Sequence, residues 1–397
     1  MIEFKKRVWA EIDLDAIKQN IENIRSFTGN TRLIAVIKAD GYGHGAVELG
    51  HYFQSIGIDF FAVSSLREAM ELRQGGIHGN ILVLGYTTPD EAEILADNNI
   101  SQAVYSEAYA AELSETLRPV GKCLKIHIKL NTGMNRIGFN CCGEPKIAEI
   151  EKAVTAPGLI FEGLFTHFAA ADRDGDPNGT FTQLQYDRFM TVCNALENDG
   201  YHPQIRHCCN SAGTLLHPDK QLDAVRPGII MYGLTPSDGL KLPCALSPAM
   251  TFKAVVSMIH PISKAECVSY GLTFKAPRDM LLATITAGYA DGYPRYLSNC
   301  GEVLIHGHRC PIVGKVCMDQ TVVDISNVPD VKEGDEVVMF GSQDGAFLPV
   351  EEIAKTGGTV NYEIVCGISR RVPRYYYQNG RRVSVHDYLL KENDGTI

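Results

Sequence analysis

A lysine stands at the end of an apolar run. Leu33-Ile34-Ala35-Val36-Ile37 is followed by Lys38, and then by Ala39-Asp40-Gly41-Tyr42-Gly43-His44-Gly45. An amine that emerges from such a run keeps part of its stem out of water. Burial lowers a lysine pKa, and a neutral amine can add to a carbonyl to form a Schiff base. The competing reading is a lysine snorkelling from a strand end, and position alone favours it. The loop is not a Walker motif, because no Gly-Lys-Ser/Thr follows, and its glycines lack the spacing of a dinucleotide fingerprint. Further candidates recur along the chain. They are Lys129-Leu130-Asn131-Thr132-Gly133-Met134-Asn135-Arg136, Thr166-His167, Cys209-Asn210-Ser211 and Arg226-Pro227-Gly228-Ile229. Each alone is weak. A single histidine is more often structural, and Asn210-Ser211 is an ordinary helix cap.

The elements that must position these residues alternate. Short β-rich runs are read at Leu33–Ala39, Asp59–Ser64, Asn80–Gly85, Gln102–Ser106, Leu124–Asn131, Ile160–His167, Ile205–Asn210 and Ala224–Tyr232. Between them lie amphipathic stretches such as Ala46–Ile56, Leu66–Arg73, Thr88–Asp97 and Phe181–Asn198. Apolar strands without alternation suit a parallel sheet buried on both faces. Eight of them with intervening helices point to a (β/α)8 barrel, with a doubly wound open sheet as the rival. A barrel gathers its chemistry at the C-terminal strand ends, where every candidate above lies. Phosphate is commonly held after strands seven and eight, near the backbone of Ser211 and Gly228-Ile229.

After Gly233 the texture changes. Pro236, Pro243 and Pro248 mark a boundary, and short β-branched runs follow at Lys253–Ile259, Leu281–Thr286, Glu302–Ile305, Gln320–Ile325 and Glu336–Phe340. The expected organisation is an α/β barrel over 14–240 and an all-β domain over 241–397. Residues 1–13, with Val8-Trp9-Ala10-Glu11-Ile12-Asp13, are expected to add a strand to that domain. At 397 residues the chain exceeds the roughly 250–300 at which single cores stop growing. A net charge of -10 argues against nucleic acid as the main partner. No basic, then apolar, secretory leader and no membrane-length apolar run occurs, so a cytoplasmic protein is expected. The 12 cysteines include two adjacent pairs and no Cys-x-x-Cys, which reads as reduced thiols and no metal site.

Taken together, the motifs closely resemble those of the alanine racemase family of fold-type III pyridoxal-phosphate enzymes. Val36-Ile37-Lys38-Ala39-Asp40-Gly41-Tyr42-Gly43-His44-Gly45 resembles its lysine signature. Met134-Asn135-Arg136-Ile137-Gly138-Phe139, Val268-Ser269-Tyr270-Gly271, Gly288-Tyr289-Ala290-Asp291-Gly292-Tyr293, Val316-Cys317-Met318-Asp319-Gln320 and Asn361-Tyr362-Glu363 resemble further family motifs, in order. The resemblance covers essentially the whole chain. It implies a cytoplasmic homodimer whose active sites use both subunits, acting on a small amino acid and supplying D-alanine for peptidoglycan.

The resemblance also implies roles. Lys38 would hold pyridoxal 5′-phosphate, and Tyr42, Asn210, Ser211, Gly228, Ile229 and Tyr362 would surround the phosphate. His167 would lie beside the pyridine ring, Arg226 would face its nitrogen, and Arg136 would contact the phenolic oxygen and the substrate side. Tyr270 and the backbone of Met318 would come from the partner subunit, and Tyr289 and Asp319 would line the entryway. Lys129 matches a lysine that is often carbamylated. Lys38 and Tyr270 would be the two bases of a racemase. Serine or a broader set of small amino acids is the alternative substrate. A fold-type III decarboxylase would show a triple-glycine phosphate loop and an acid at the ring nitrogen, and neither is present. A non-catalytic pyridoxal-phosphate-binding protein would lack the β-domain.

Overall fold

The computed structural model describes residues 6–172, 176 and 178–390. It divides into two compact units, one of Lys18–Gly41 and Ala46–Leu246, the other of Met1–Ile17, Tyr42–Gly45 and Ser247–Ile397. The secretory-leader reading falls partly on residues 1–5, which lie outside the described residues.

The first unit is the expected barrel. Parallel strands run in the order Ala35–Val36, Phe60–Val63, Asn80–Val83, Ile100–Val104, Leu124–Asn131, Leu159–Phe165 and Ile205–His207. The ring closes through Ala224–Val225. That strand pairs in parallel with Arg32–Leu33, and its neighbours Asp223 and Arg226 donate to the carbonyls of Arg206 and Cys209 at 3.2 and 2.9 Å. Phe60, Phe61, Ala62 and Val63 are all fully buried, as strands covered on both faces must be. The rival open sheet is thereby set aside.

Every expected barrel strand except Leu124–Asn131 ends earlier than read, and the first and the last show why. The first strand stops at Val36, and Lys38–Tyr42 forms a short helical turn instead. Within it Ala39, Asp40, Gly41 and Tyr42 take φ of 52, 57, 60 and 53°. The left-handed region is costly for residues with a Cβ and persists only where neighbours enforce it. Here the Glu68 carboxylate accepts from Ala39 N at 2.7 Å and Ser64 N at 2.6 Å, while Asp40 accepts from Ala46 N at 2.9 Å. The last strand also ends early, at Val225, because Pro227 has no N–H to continue the ladder and Ile229–Tyr232 coils into a 3-10 turn.

The second unit is built on a mixed sheet. Val8–Asp13 lies between Met250–Ile262, antiparallel, and Arg374–Gln378, parallel. Met250–Ile262 pairs onward with Met280–Ile285 and Glu336–Gln343. The unit is not all-β: Val350–Thr356 and Asn361–Cys366 are helices, too short to show a helical period in sequence.

Tyr42–Gly45 belongs to this second unit and is clamped there. Arg374, fully buried, donates to the carbonyls of Gly43 at 3.0 Å, Ile368 at 2.8 Å and Ser369 at 2.7 Å, and to that of Val372. Tyr376 Oη donates to His44 O at 2.9 Å. Gly43 has φ +80°, and a Cβ there would lie 2.0 Å from Val365 O. A Gly43→Ala variant should therefore unfold at clearly lower denaturant than wild type. Gly334→Ala, at φ +92° but with open space around it, should cost only the ~1–2 kcal/mol of a left-handed residue. Equal losses in urea unfolding would show that Gly43 is not sterically required.

Candidate active site

The barrel brings Lys129, His167, His207 and Arg226 near one another toward the C-terminal strand ends. Arg226 follows the last strand and is 3% exposed. Its Nη1 donates to His207 Nδ1 at 2.6 Å and His207 O at 3.0 Å. Its Nη2 donates to Thr166 O at 2.7 Å, Cys208 O at 3.2 Å and His167 Nδ1 at 3.3 Å. All five acceptors are carbonyls or imidazoles. Burial lowers the guanidinium to about 10, which still leaves it cationic at neutral pH. Desolvation, together with the charges of Arg226, Lys129, Arg136 and Lys38, holds His167 well below its usual pKa and therefore neutral. That effect places Lys38 within electrostatic reach of His167.

Lys129, 4% exposed, donates to Leu130 O at 2.7 Å. Burial first, and then the charges of Arg226 and Arg136, bring its amine down to about 7. Arg136 itself is exposed and ends a loop ordered by Asn131. The Asn131 side chain accepts from Asn135 N at 2.9 Å and donates to Asn135 Oδ1 at 3.0 Å. Arg188 braces the same loop through Thr132 O and Cys142 O, both at 2.8 Å.

At the phosphate-type position, Ser211 Oγ accepts from Gly228 N at 2.9 Å, which joins the ends of strands seven and eight. Asn210 caps the following helix by accepting from Gly213 N at 2.9 Å, so its side chain serves as the ordinary cap of the sequence reading. Ile229 is fully buried behind Gly228.

The β unit brings together a second cluster. Tyr42 and Tyr362 place their ring centroids 6.0 Å apart. Tyr270 opens a 3-10 turn after Ser269, whose hydroxyl donates to Lys315 O at 2.8 Å. The backbone of Tyr289 and Ala290 donates to Cys317 O at 3.0 Å and Met318 O at 2.9 Å. A Cβ at Gly288 would sit 2.3 Å from Cys317 O, so the two turns touch backbone to backbone. Arg371 binds Asp319 at 2.9 Å and Asp291 at 3.3 Å, and Arg7 holds Asp291 from the other side at 3.0 Å. Tyr270, Met318 and Tyr289 are exposed by 72, 53 and 41%.

Sequence reasoning missed Glu68, His127, Glu162 and His207. Glu68 had a signal, since Ser65-Leu66-Arg67-Glu68 reads as a capping box, but its carboxylate reaches the lysine loop instead. No metal-type cluster of His, Cys, Asp or Glu occurs among the described residues, none of the 12 cysteines is in a disulfide, and no described helix is long and apolar enough to cross a membrane.

The chain is similar to known proteins over nearly its whole length. Residues 12–236 match the alanine racemase N-terminal domain and residues 249–376 the alanine racemase C-terminal domain. An alanine racemase from Clostridium tetani is 42% identical over 391 residues, covering 98% of this chain and 100% of its own. A solved alanine racemase from Clostridium difficile 630 superposes with a TM-score of 0.91 at 38% identity, over 98% of this chain and 100% of that one. A histidine racemase from Leuconostoc mesenteroides superposes at 0.86 with 29% identity, over 95% and 99%. Matched end to end by both domain models and by relatives of the same name, the chain belongs to the alanine racemase family, a family of isomerases.

Proposed function

We propose that the protein interconverts L-alanine and D-alanine with pyridoxal 5′-phosphate as cofactor, supplying D-alanine for peptidoglycan. The observation that carries this reading is end-to-end similarity to relatives named alanine racemase. The donor set fits the cofactor. An amine stands at Lys38, a cation among neutral acceptors at Arg226, and backbone amides at Gly228 and Ile229 beside the Ser211 hydroxyl. Tyr42 and Tyr362 would complete the phosphate contacts, with Asn210 ordering the turn, and His167 would flank the ring. When bound, the cofactor accepts electron density as the Cα–H bond of an amino acid breaks.

Each residue then has a task. Lys38 would hold the cofactor, and its amine would handle the proton on one face of Cα. Tyr270 of the partner subunit handles the proton on the other face, since one base cannot reach both. Arg136 and the Met318 backbone receive the substrate carboxylate, and Tyr289 and Asp319 line the way in. Arg226 donates a hydrogen bond and keeps its proton. Facing the ring nitrogen, Arg226 would therefore offer it a hydrogen bond and no proton, unlike an acid at that place. Exposed Tyr270, Leu272 and Met318 support a homodimer, since a partner would cover these apolar groups. The likeness to a histidine racemase makes side-chain space the deciding feature. Tyr362, packed near Tyr42, crowds that space and favours alanine over serine or larger side chains.

Lys129 is proposed to be carbamylated. With a pKa of about 7 much of its amine is neutral near pH 7, and the neutral amine adds CO2 to give a carbamate and release a proton. The product is an anion beside Arg136. With 13C-bicarbonate, a carbamate carbon signal should appear in wild type and vanish in Lys129→Ala. A wild-type protein without that signal removes the proposal.

Two further outcomes are expected. Borohydride should fix the cofactor on the Lys38 peptide alone, and label on any other lysine would overturn that assignment. In Tyr270→Ala, racemisation should fall by ~10²–10⁴-fold while the cofactor still binds. In deuterated water, NMR should then find D-alanine exchanging at Cα with retention through Lys38, and L-alanine exchanging far more slowly. Equal residual exchange of the two enantiomers would mean that Tyr270 does not serve one face.

A further inference from the structure

Inside the barrel lies a chain of titratable groups that the chemistry above does not use. Arg226 donates to His207 Nδ1 at 2.6 Å, His207 Nε2 lies 2.9 Å from His127 Nδ1, and His127 Nε2 lies 3.0 Å from Glu162 Oε2. His127 and His207 are fully buried, and Glu162 is 6% exposed. The chain links four strand segments, and the structure makes room for it. A Cβ at Gly163 would stand 2.2 Å from His127 Nδ1. Phe165 stacks on His207 with centroids 4.9 Å apart, and Phe60 meets His127 edge-on at 6.0 Å.

The direction of every bond follows from donor chemistry. Arginine only donates, so His207 Nδ1 accepts. A neutral His207 then carries its proton on Nε2 and donates to His127 Nδ1. His127 in turn carries its proton on Nε2 and donates to the carboxylate, which only accepts. A proton added to either imidazole would turn a donor against a donor. Burial keeps both histidines below their usual pKa, His207 well below it. For Glu162 burial acts the other way, but hydrogen bonds from His127 and Ser101 and the charge of Lys125 hold it below the usual carboxylate range. The other groups facing the chain are Ser101, 2.5 Å from Glu162 Oε2, Lys125, 3.5 Å from Oε1, and Lys129, whose charge acts on His207. The ends are thus a cation and an anion joined by two neutral rings.

We infer that Glu162 is a positioning residue for Arg226, acting through His127 and His207 to fix the guanidinium that faces the cofactor nitrogen. This role rests on the proposed place of Arg226 beside that nitrogen. The bond directions themselves do not. A buried anion reached through two ordered imidazoles gives Arg226 a counter-charge without an acid at the ring. Such an acid would offer the nitrogen a proton. Replacing the carboxylate with an amide removes the charge, and an amide N–H turned toward His127 Nε2 would drive the His127 proton onto Nδ1, against the His207 donor.

The test uses the holoenzyme with 15N-labelled histidine. In wild type, imidazole nitrogen shifts should show two buried histidines that stay neutral, with the proton on Nε2, from pH 6 to pH 8. A protonated ring or an Nδ1–H tautomer at either would overturn the chain, and this measurement needs no variant to fold. In Glu162→Gln, the His127 or His207 shifts should change. The number of racemisation turnovers per half-transamination event should fall by about tenfold, with the KM for alanine little altered. Altered shifts with an unchanged partition ratio would overturn the role of Glu162 and leave the racemase reading intact. Wild-type holoenzyme that does not racemise alanine would instead overturn that reading, while the imidazole shifts still decide the chain.

Discussion

Most of the barrel's candidate site depends on the burial of one cation. A guanidinium at 3% exposure has lost nearly all of its water. Taking an ion of that kind out of solvent costs several kcal/mol unless hydrogen bonds replace the hydration. Arg226 recovers them from two neighbouring strand ends at once, through Thr166 O, His207 O and Cys208 O together with two imidazoles. Those strand ends must therefore point their carbonyls at one place. The same cation sets the histidine tautomers and adds to the effect of burial, which is the larger, in lowering Lys129 and keeping His167 neutral. Positive charge is concentrated where an anionic cofactor would lie.

A second constraint acts on the lysine loop. Four successive left-handed residues would not persist in isolation. Glu68 and Asp40 tie the turn by its backbone amides, and Arg374 and Tyr376 hold the carbonyls of Gly43 and His44. Strain held by so many polar contacts orients the segment that follows Lys38, and it explains why glycine stands at 43 and 45, where a Cβ would strike Val365 O or Tyr376 Oη.

Much of this was legible from sequence, for identifiable reasons. Parallel strands buried on both faces read as unbroken apolar runs, so Leu33–Ile37 and Phe60–Val63 stood out. Motifs fixed by chemistry, such as the lysine signature and Arg226-Pro227-Gly228, kept their order. Other features were hidden. The turn after Val36 cannot be read from residue type, since Ala39 and Tyr42 have no preference for positive φ. The helices at 350–356 and 361–366 span too few turns to declare a period. His127 in Ile126-His127-Ile128 and Glu162 in Phe161-Glu162-Gly163 look like the solvent side of alternating strands. In a closed barrel the residues that face its interior also alternate along each strand, so the same pattern describes a fully buried polar chain.

In the proposed function, Arg226, held as a cation from behind, donates to the cofactor's ring nitrogen without protonating it. The most direct measurement is the 15N shift of that nitrogen in holoenzyme reconstituted with ring-labelled pyridoxal 5′-phosphate. A shift typical of an unprotonated pyridine that accepts a hydrogen bond, unchanged from pH 6 to pH 9 and moved by Arg226→Glu, is the predicted result. A pyridinium shift in the wild-type enzyme would contradict it.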